Sequence, residues 1–208
     1  MESEDDTVKL IGIVGTNSAE STNRKLLQYM QSHLADKAEI ELVEVKDIPV
    51  FNKPADKKVP EKVTEIATKI EAAEGVIIAT PEYDHSIPAA LMNALAWLSY
   101  GITPLLNKPV MITGASYGKL GSSRAQAQLR QILDAPELKA SVMPGSEFLL
   151  ANSLQAFDEA GNLIDLETVQ KLDALFDDFR VFVKITAKLS NAHELLHQEA
   201  ENFDWENL

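Results

Sequence analysis

Cysteine is absent from the 208-residue chain. This absence excludes disulfide bonds, thiolate-bound zinc, iron–sulfur clusters and a thiol nucleophile. Any redox chemistry in this protein must therefore depend on a bound cofactor.

Positive charge is also scarce, because 19 Lys and Arg residues face 32 Asp and Glu residues, for a net charge of −13. A chain of this charge repels nucleic acids and anionic membranes. No apolar run reaches the length of a membrane span, and the acidic segment Met1–Asp6 does not match a signal peptide. We therefore expect a cytoplasmic protein that binds neither nucleic acid nor membrane.

What is present is the composition of a globular protein, with 45% hydrophobic and 25% charged residues. Apolar runs and helical spacings alternate along the chain. This alternation predicts one domain over residues 8–189 with a five-stranded parallel sheet in the flavodoxin-like order 2-1-3-4-5 and helices on both faces. Acidic segments, 1–7 and 190–208, flank it. The predicted strands are Val8–Val14, Ile40–Val45, Val76–Ala79, Val110–Thr113 and Ser141–Leu150, the last interrupted at Pro144; the predicted helices are Thr22–Ala35, Val63–Ile70, Ala89–Leu98, Ser122–Leu133 and Leu166–Leu189.

Three loops follow predicted strands at the edge of the sheet where such folds bind ligands. The first, Gly15–Asn23, is rich in Ser, Thr and Asn and opens a helix, which suits a phosphate as well as simple helix capping by Ser21 or Thr22. The second, Pro81–Pro88, carries Tyr83 and suits a planar ligand, or else only caps the next helix. The third, Gly114–Gly121, has three glycines but is not a nucleotide triphosphate loop.

The C-terminal segment carries a zinc-protease pattern, HExxH, with His193 and His197 one helical turn apart. No third ligand is at a suitable spacing, so we predict no catalytic metal, although such a pair can bind a metal adventitiously. The same segment is acidic and ends with Phe203, Trp205 and Leu208. Two interpretations of this segment stay open: these apolar residues dock on a protein surface, or the segment is a disordered tail.

Taken together, the loops resemble those of the NAD(P)H-dependent FMN reductase family, which includes quinone, azo-dye and chromate reductases. The resemblance extends from about residue 8 to residue 184, and its most specific segment is the Pro-Glu-Tyr loop that leads into Leu91 and Asn93. The matching segments are Gly15–Thr16, Ser21–Arg24, Ile48–Asn52, Pro81–Asn93 and Gly114–Arg130.

The resemblance implies a bound FMN held by the three loops. The phosphate would contact Thr16, Ser18, Ser21, Thr22 and Asn23; the isoalloxazine would lie against Pro81, Glu82, Tyr83, Asp84 and Ser86; its other edge would meet Ser116, Tyr117 and Gly118. Family members commonly carry Arg in place of Ser18 and Asn in place of Asp84, so this chain lacks one phosphate countercharge and one amide donor.

The family's chemistry implies no catalytic residue, since the flavin carries the reaction. NAD(P)H would pass a hydride to the flavin, and a quinone, an azo compound or free flavin would then take two electrons in a ping-pong cycle. We expect a homodimer or homotetramer. A flavodoxin-type electron carrier and a flavin- or redox-sensing interaction protein are the alternatives. The sequence has no motif that selects NADH or NADPH.

Overall fold

A parallel sheet forms the centre of the protein. The computed structural model describes residues 7–145 and 147–201, the last twelve of them by their backbone only. Strands β1 (Val8–Val14), β2 (Ala38–Glu44), β3 (Gly75–Ala79) and β4 (Pro109–Ala115) lie in the order β2-β1-β3-β4. In this register Leu10 of β1 is opposite Ile40 on one side and Gly75 on the other. The predicted order 2-1-3-4-5 is confirmed when the outer position beside β4 is included.

The outer position is occupied by two short strands in place of one long strand. Strand β5 (Ser141–Val142) pairs with the start of β4, and β6 (Phe148–Leu150) pairs with its end. Pro144 lies between them and has no N–H to donate to a ladder, and Gly145 has a φ of +71°. The predicted interruption at Pro144 is therefore confirmed, and it raises the number of strands to six.

Within the described residues, five α-helices cover the two faces of the sheet, and a short 3-10 helix spans Ser153–Gln155. Helices α2 (Glu61–Ala72), α3 (Ala89–Leu98) and α4 (Ser123–Leu133) bury their apolar faces in one core. Helices α1 (Thr22–His33) and α5 (Leu166–Glu201) enclose the other core. The spacing of three and four residues that predicted each helix also places its apolar side chains on one face. The fully buried residues Leu26, Met30, Phe176 and Phe179 show this for the second core.

Several helix ends differ from the prediction: α2 is two residues longer at each end than Val63–Ile70, and α4 begins one residue later than Ser122. Helix α1 ends at His33, before Ala35, because the chain turns there and the N–H groups of Lys37 and Ala38 both bond to the carbonyl of Leu34. Helix α5 continues past Leu189 to Glu201. Among the helices of the described residues, none combines the length and the apolar character needed to span a membrane.

Candidate functional site

A cavity of about 470 Å³ opens at the carboxyl ends of β1, β3 and β4, between the three loops. Its size is within the range of about 300–1,000 Å³ that is typical of small-molecule sites. The residues that line it are Glu20, Ser21, Thr22, Asn23, Pro81, Glu82, Tyr83, Ala115, Ser116, Tyr117, Gly118, Lys119, Leu120 and Arg124. The edge of the sheet expected to bind a ligand therefore does contain a cavity of suitable size.

The first loop brings the N-terminus of α1 to the cavity. It is anchored to β3 by a bond of 2.8 Å from the N–H of Gly15 to the carbonyl of Ala79, and a side chain at position 15 would collide with that carbonyl. Ser21 caps the helix, because its hydroxyl accepts from the N–H of Arg24 at 3.2 Å. The N–H groups of Thr22 and Asn23 come next and find no acceptor within the described chain. This helix end can therefore donate to an anion or to a polar ligand atom.

Most polar side chains of the first loop already have partners inside the protein. The hydroxyl of Thr22 lies 2.8 Å from that of Ser153. The amide of Asn23 both donates to and accepts from the backbone of Ala115, each at 2.9 Å. The Thr16 hydroxyl accepts from the N–H of Ser18 and lies 3.3 Å from the Tyr83 hydroxyl. These bonds position the loop rather than leave its side chains free for a ligand.

Arg24 is the cation closest in sequence to this loop, and it is fully engaged by the protein. Its guanidinium donates to both carboxylate oxygens of Glu44, at 2.6 and 2.9 Å. It also donates to the carbonyls of Ser18 and Ala19. The bond to Glu44 raises the pKa of Arg24 more than burial lowers it. Arg24 therefore holds the shape of the first loop while its charge is neutralised by Glu44.

The second loop makes a tight turn at the cavity rim. Tyr83 and Ser86 exchange backbone hydrogen bonds of 3.0 and 2.9 Å, and Asp84 and His85 between them have φ values of +49° and +64°. Two consecutive positive φ angles are typical of a type I′ turn. Because Ser86 donates to Gln128 of α4 at 2.6 Å, its hydroxyl is directed away from the cavity. Tyr83 lines the cavity with 47% of its surface exposed.

Glu82 joins the second loop to α4. Its carboxylate accepts from the backbone N–H groups of Arg124 and Ala125, at 3.0 and 3.4 Å, and from the Arg124 guanidinium. Burial raises the pKa of Glu82, but the bonds from Arg124 and Ala125 outweigh it and lower the pKa overall. The carboxylate is thus ionised at neutral pH and caps the positive end of the helix.

The third loop is held through its backbone. Ser116 donates its N–H to Leu150, and its carbonyl accepts from Ser153. The carbonyl of Gly118 accepts from the N–H of Asn152, and all three bonds measure 3.0 Å. Tyr117 and Leu120 take no part in these bonds and remain 59% and 51% exposed. The loop therefore has a fixed main chain with apolar side chains available to a ligand.

Nine of the thirteen site residues predicted from the sequence line the cavity, and Thr16, Ser18, Asp84 and Ser86 lie outside its wall. The sequence reasoning missed five lining residues: Glu20, Ala115, Lys119, Leu120 and Arg124. All five belong to the first loop, the third loop or the segment Gly114–Arg130, so their nearness in sequence to the predicted residues was the available signal. No cluster of three metal-ligating side chains occurs among the described residues. The pair His193 and His197 belongs to the segment whose side chains are not described, so the prediction about it is not tested.

Comparisons with known proteins agree on one family. The family model for NADPH-dependent FMN reductase matches residues 8–155. The NADH:(hydroxy)cinnamate reductase subunit CrdA of Vibrio ruber is 51% identical over 196 residues, covering 94% of this chain and 96% of that protein. The NADH-dependent flavin reductase subunit 2 of Lactobacillus johnsonii is 44% identical, covering 87% and 100%.

A solved structure gives the same result. The flavoenzyme NAD(P)H:(acceptor) oxidoreductase FerB of Paracoccus denitrificans superimposes with a TM-score of 0.71 at 26% identity. The match covers 86% of this chain and 99% of FerB.

Proposed function

The chain belongs to the NADPH-dependent FMN reductase family, and from this premise we propose that it is an FMN-dependent NAD(P)H oxidoreductase whose flavin lies in the cavity between the three loops. The single observation that carries the proposal is that cavity, because its walls combine aromatic side chains, which suit a flavin ring, with the N-terminus of α1, which suits a phosphate. Bound FMN would supply the redox chemistry, taking a hydride from NAD(P)H and passing two electrons to an acceptor.

The ring-side wall supports this proposal. Tyr83 and Tyr117 present half-exposed aromatic rings beside the cavity, and such surfaces suit a planar heterocycle. A side chain at Gly118 would meet no protein atom within 4 Å, so the glycine leaves space in the cavity wall. In the first loop, the N–H groups of Thr22 and Asn23, which have no acceptor within the described chain, suit the phosphate.

The charged groups of the cavity favour binding over acid–base catalysis. Glu82 is ionised and bonded to Arg124, so it has no proton to give at neutral pH. Through its bond to the N–H of Arg124, Glu82 holds the segment Pro81–Tyr83 at the N-terminus of α4. We therefore assign no general acid or base, in agreement with chemistry carried by the cofactor.

We propose that the acceptors are small molecules such as quinones, azo compounds or free flavin. The shallow, partly aromatic wall supports acceptors that stack rather than acceptors bound through many hydrogen bonds. A second candidate role is delivery of electrons to another polypeptide. It is favoured by the names of the Vibrio ruber and Lactobacillus johnsonii relatives, which are both subunits of reductases. A homodimer or homotetramer remains our proposal for the chain by itself.

The test is anaerobic reduction of the FMN-loaded protein by NADH and by NADPH, followed spectroscopically, and then reoxidation by a panel of acceptors. We expect rapid bleaching by at least one nicotinamide and reoxidation by a quinone. Loaded protein that is reduced only by another protein would instead be an electron carrier. Loaded protein that reacts with neither would be a sensor.

A matched pair of variants ties the activity to the cavity. Tyr117→Ala removes an aromatic ring from the wall, whereas Ile164→Ala removes a side chain of similar exposure, 58% against 59%, outside it. We expect the first to raise KM for the acceptor several-fold and the second to leave it unchanged. Equal changes of KM in the two variants would show that the acceptor binds outside this cavity.

A further inference from the structure

The formal charges of the residues that line the cavity add up to zero. The charged residues are Glu20, Glu82, Lys119 and Arg124. Glu82 and Arg124 form an ion pair with each other, which leaves Glu20 and Lys119, of opposite sign. The chain as a whole carries −13. An FMN phosphate, with a charge of about −1.5 to −2 at neutral pH, therefore meets no excess of positive charge in this cavity.

Glu20 is on the phosphate side of the cavity. It immediately precedes the N-cap Ser21, and its own side chain is exposed and lines the cavity. A carboxylate that lines the same cavity, on the residue before the N-cap, opposes the attraction that this helix end has for an anion. The charge of Arg24 also attracts Glu20, but its guanidinium bonds to Glu44 and to the carbonyls of Ser18 and Ala19, and the attraction to Glu20 is weaker than that bond to Glu44.

The side chains of the first loop add little for the phosphate. Those of Thr22 and Asn23 are bonded to Ser153 and Ala115, and the Ser18 hydroxyl donates to the carbonyl of Glu20 at 3.0 Å. The hydroxyl of Ser21 accepts from Arg24 and keeps its own proton available. The phosphate is therefore offered one hydroxyl and a few backbone N–H groups, against one carboxylate.

We propose that this cavity recognises flavin by its ring and hardly by its phosphate, with Glu20 as the residue that sets this specificity. The site then takes riboflavin as well as FMN, and the flavin exchanges with solution. This inference rests on the proposed function, because it assumes a flavin in the cavity, and it adds the class of flavin that the site accepts. Lys119 belongs to the third loop, whereas Glu20 directly precedes the N-cap of α1, so the charge next in sequence to the expected phosphate end is negative. A site in which a Lys or Arg of the first loop pairs with the phosphate would prefer FMN by about a hundredfold or more.

The experiment measures the Kd of FMN and of riboflavin by quenching of flavin fluorescence, for the wild-type protein and three variants. Glu20→Gln removes the charge at the cavity, and Glu20→Lys reverses it. Glu65→Gln removes the same charge from an exposed position of α2 that is outside the cavity. Because Glu20 is exposed and its side chain has no bonding partner in the described chain, all variants should fold.

We expect the two flavins to bind the wild-type protein within about tenfold of each other. Glu20→Gln should tighten FMN binding about threefold or more, Glu20→Lys should tighten it further, and both should leave riboflavin unchanged. The control Glu65→Gln should change neither value. Raising the salt concentration should not weaken FMN binding to the wild-type protein, since no net attraction to the phosphate is screened.

A wild-type preference for FMN above about tenfold would overturn the inference. So would an effect of Glu20→Gln that is equal for the two flavins or smaller than for Glu65→Gln. In either case FMN still binds, and the proposed function stands. If neither flavin binds, the proposed function fails, and this inference fails with it.

Discussion

The first and third loops line one cavity, are bonded to each other through Asn23 and Ala115, and are held in place mainly by different means. Loop Gly15–Asn23 is held by its side chains, since Thr22 and Asn23 bond across to Ser153 and Ala115. Loop Gly114–Gly121 is held by its backbone, which exchanges bonds with the segment 150–153. The side chains of Tyr117 and Leu120 are left exposed by this arrangement.

The difference determines where the protein can change without losing its fold. In the first loop, residue identity and loop conformation are coupled, because replacing a side chain removes an anchor. In the third loop, the residues between the glycines can vary, since the main chain is held independently of them. We therefore expect differences in acceptor specificity to arise from the third loop, and the predictions below test this contrast.

The largest expected effect concerns two glycines of the third loop. Gly121 has a φ of +57°, and a Cβ there would lie 2.6 to 2.8 Å from Leu149, partly from its backbone. We expect Gly121→Ala to lower the free energy of unfolding by about 3 kcal/mol, from the left-handed conformation and the overlap together. Chemical denaturation would measure it.

Gly118→Ala is the control for that substitution. A Cβ at Gly118 meets no protein atom within 4 Å. We expect the free energy of unfolding to change by less than about 1 kcal/mol. Flavin affinity should fall, because the methyl group enters the cavity wall. A stability loss equal to that of Gly121→Ala would show that the whole loop, and not its end, is tightly packed.

The next effect concerns the anchor of the first loop. Asn23 is 2% exposed and bonds to both backbone groups of Ala115. We expect Asn23→Ala to lower the free energy of unfolding by about 2–3 kcal/mol, because a buried N–H and a buried carbonyl lose their partner. Asn17→Ala, at an exposed position of the same loop, should cost less than about 0.5 kcal/mol. Similar losses in the two variants would contradict anchoring by side chains.

The smallest effect concerns Glu82, which joins the second loop to the helix after the third. Because the folded state lowers its pKa, its contribution to stability is complete well above the ordinary value of 4.5 and is lost as the pH falls through the lowered pKa. We expect Glu82→Gln to lower the free energy of unfolding by about 1 kcal/mol at pH 7.

The pH dependence separates this role from simple packing. The difference in unfolding free energy between Glu82→Gln and the wild-type protein should narrow as the pH falls below 4.5 and through the lowered pKa, since protonation removes the wild-type carboxylate. Glu159→Gln serves as the control, because Glu159 is exposed in a surface turn. A difference that stays constant with pH would assign the loss to packing.

Much of the fold follows from the sequence. The run Val76–Ala79 is apolar throughout, and Val8–Val14 is apolar except for the exposed Lys9, because both faces of these central strands are otherwise buried. Pro144 indicated the break in the outer strand, since proline has no N–H to donate to a continuous ladder. The end of α1 was misplaced by two residues because the turn after it depends on backbone bonds to Leu34.

The candidate site was predictable only at the level of loops. The order of strands and the three polar or glycine-rich segments after β1, β3 and β4 were sufficient to place a ligand at one edge of the sheet. The direction of each side chain could not be predicted, because the sequence allows Ser86 to face a ligand ring as well as to donate to Gln128. Bonds between residues far apart in sequence decide such directions, and no local pattern encodes them.

By itself, the sequence determined the chemistry that this protein can have. The lack of cysteine leaves redox work to a cofactor, and the alternation of strands and helices places that cofactor beside three loops. Only the tertiary structure decided how the charges at the cavity balance. Arg24 is drawn to Glu44, Arg124 to Glu82, and Glu20 and Lys119 remain at the wall. The physical reason is that the energy of a charge depends on its nearest partners in space, which the fold brings together from distant parts of the chain.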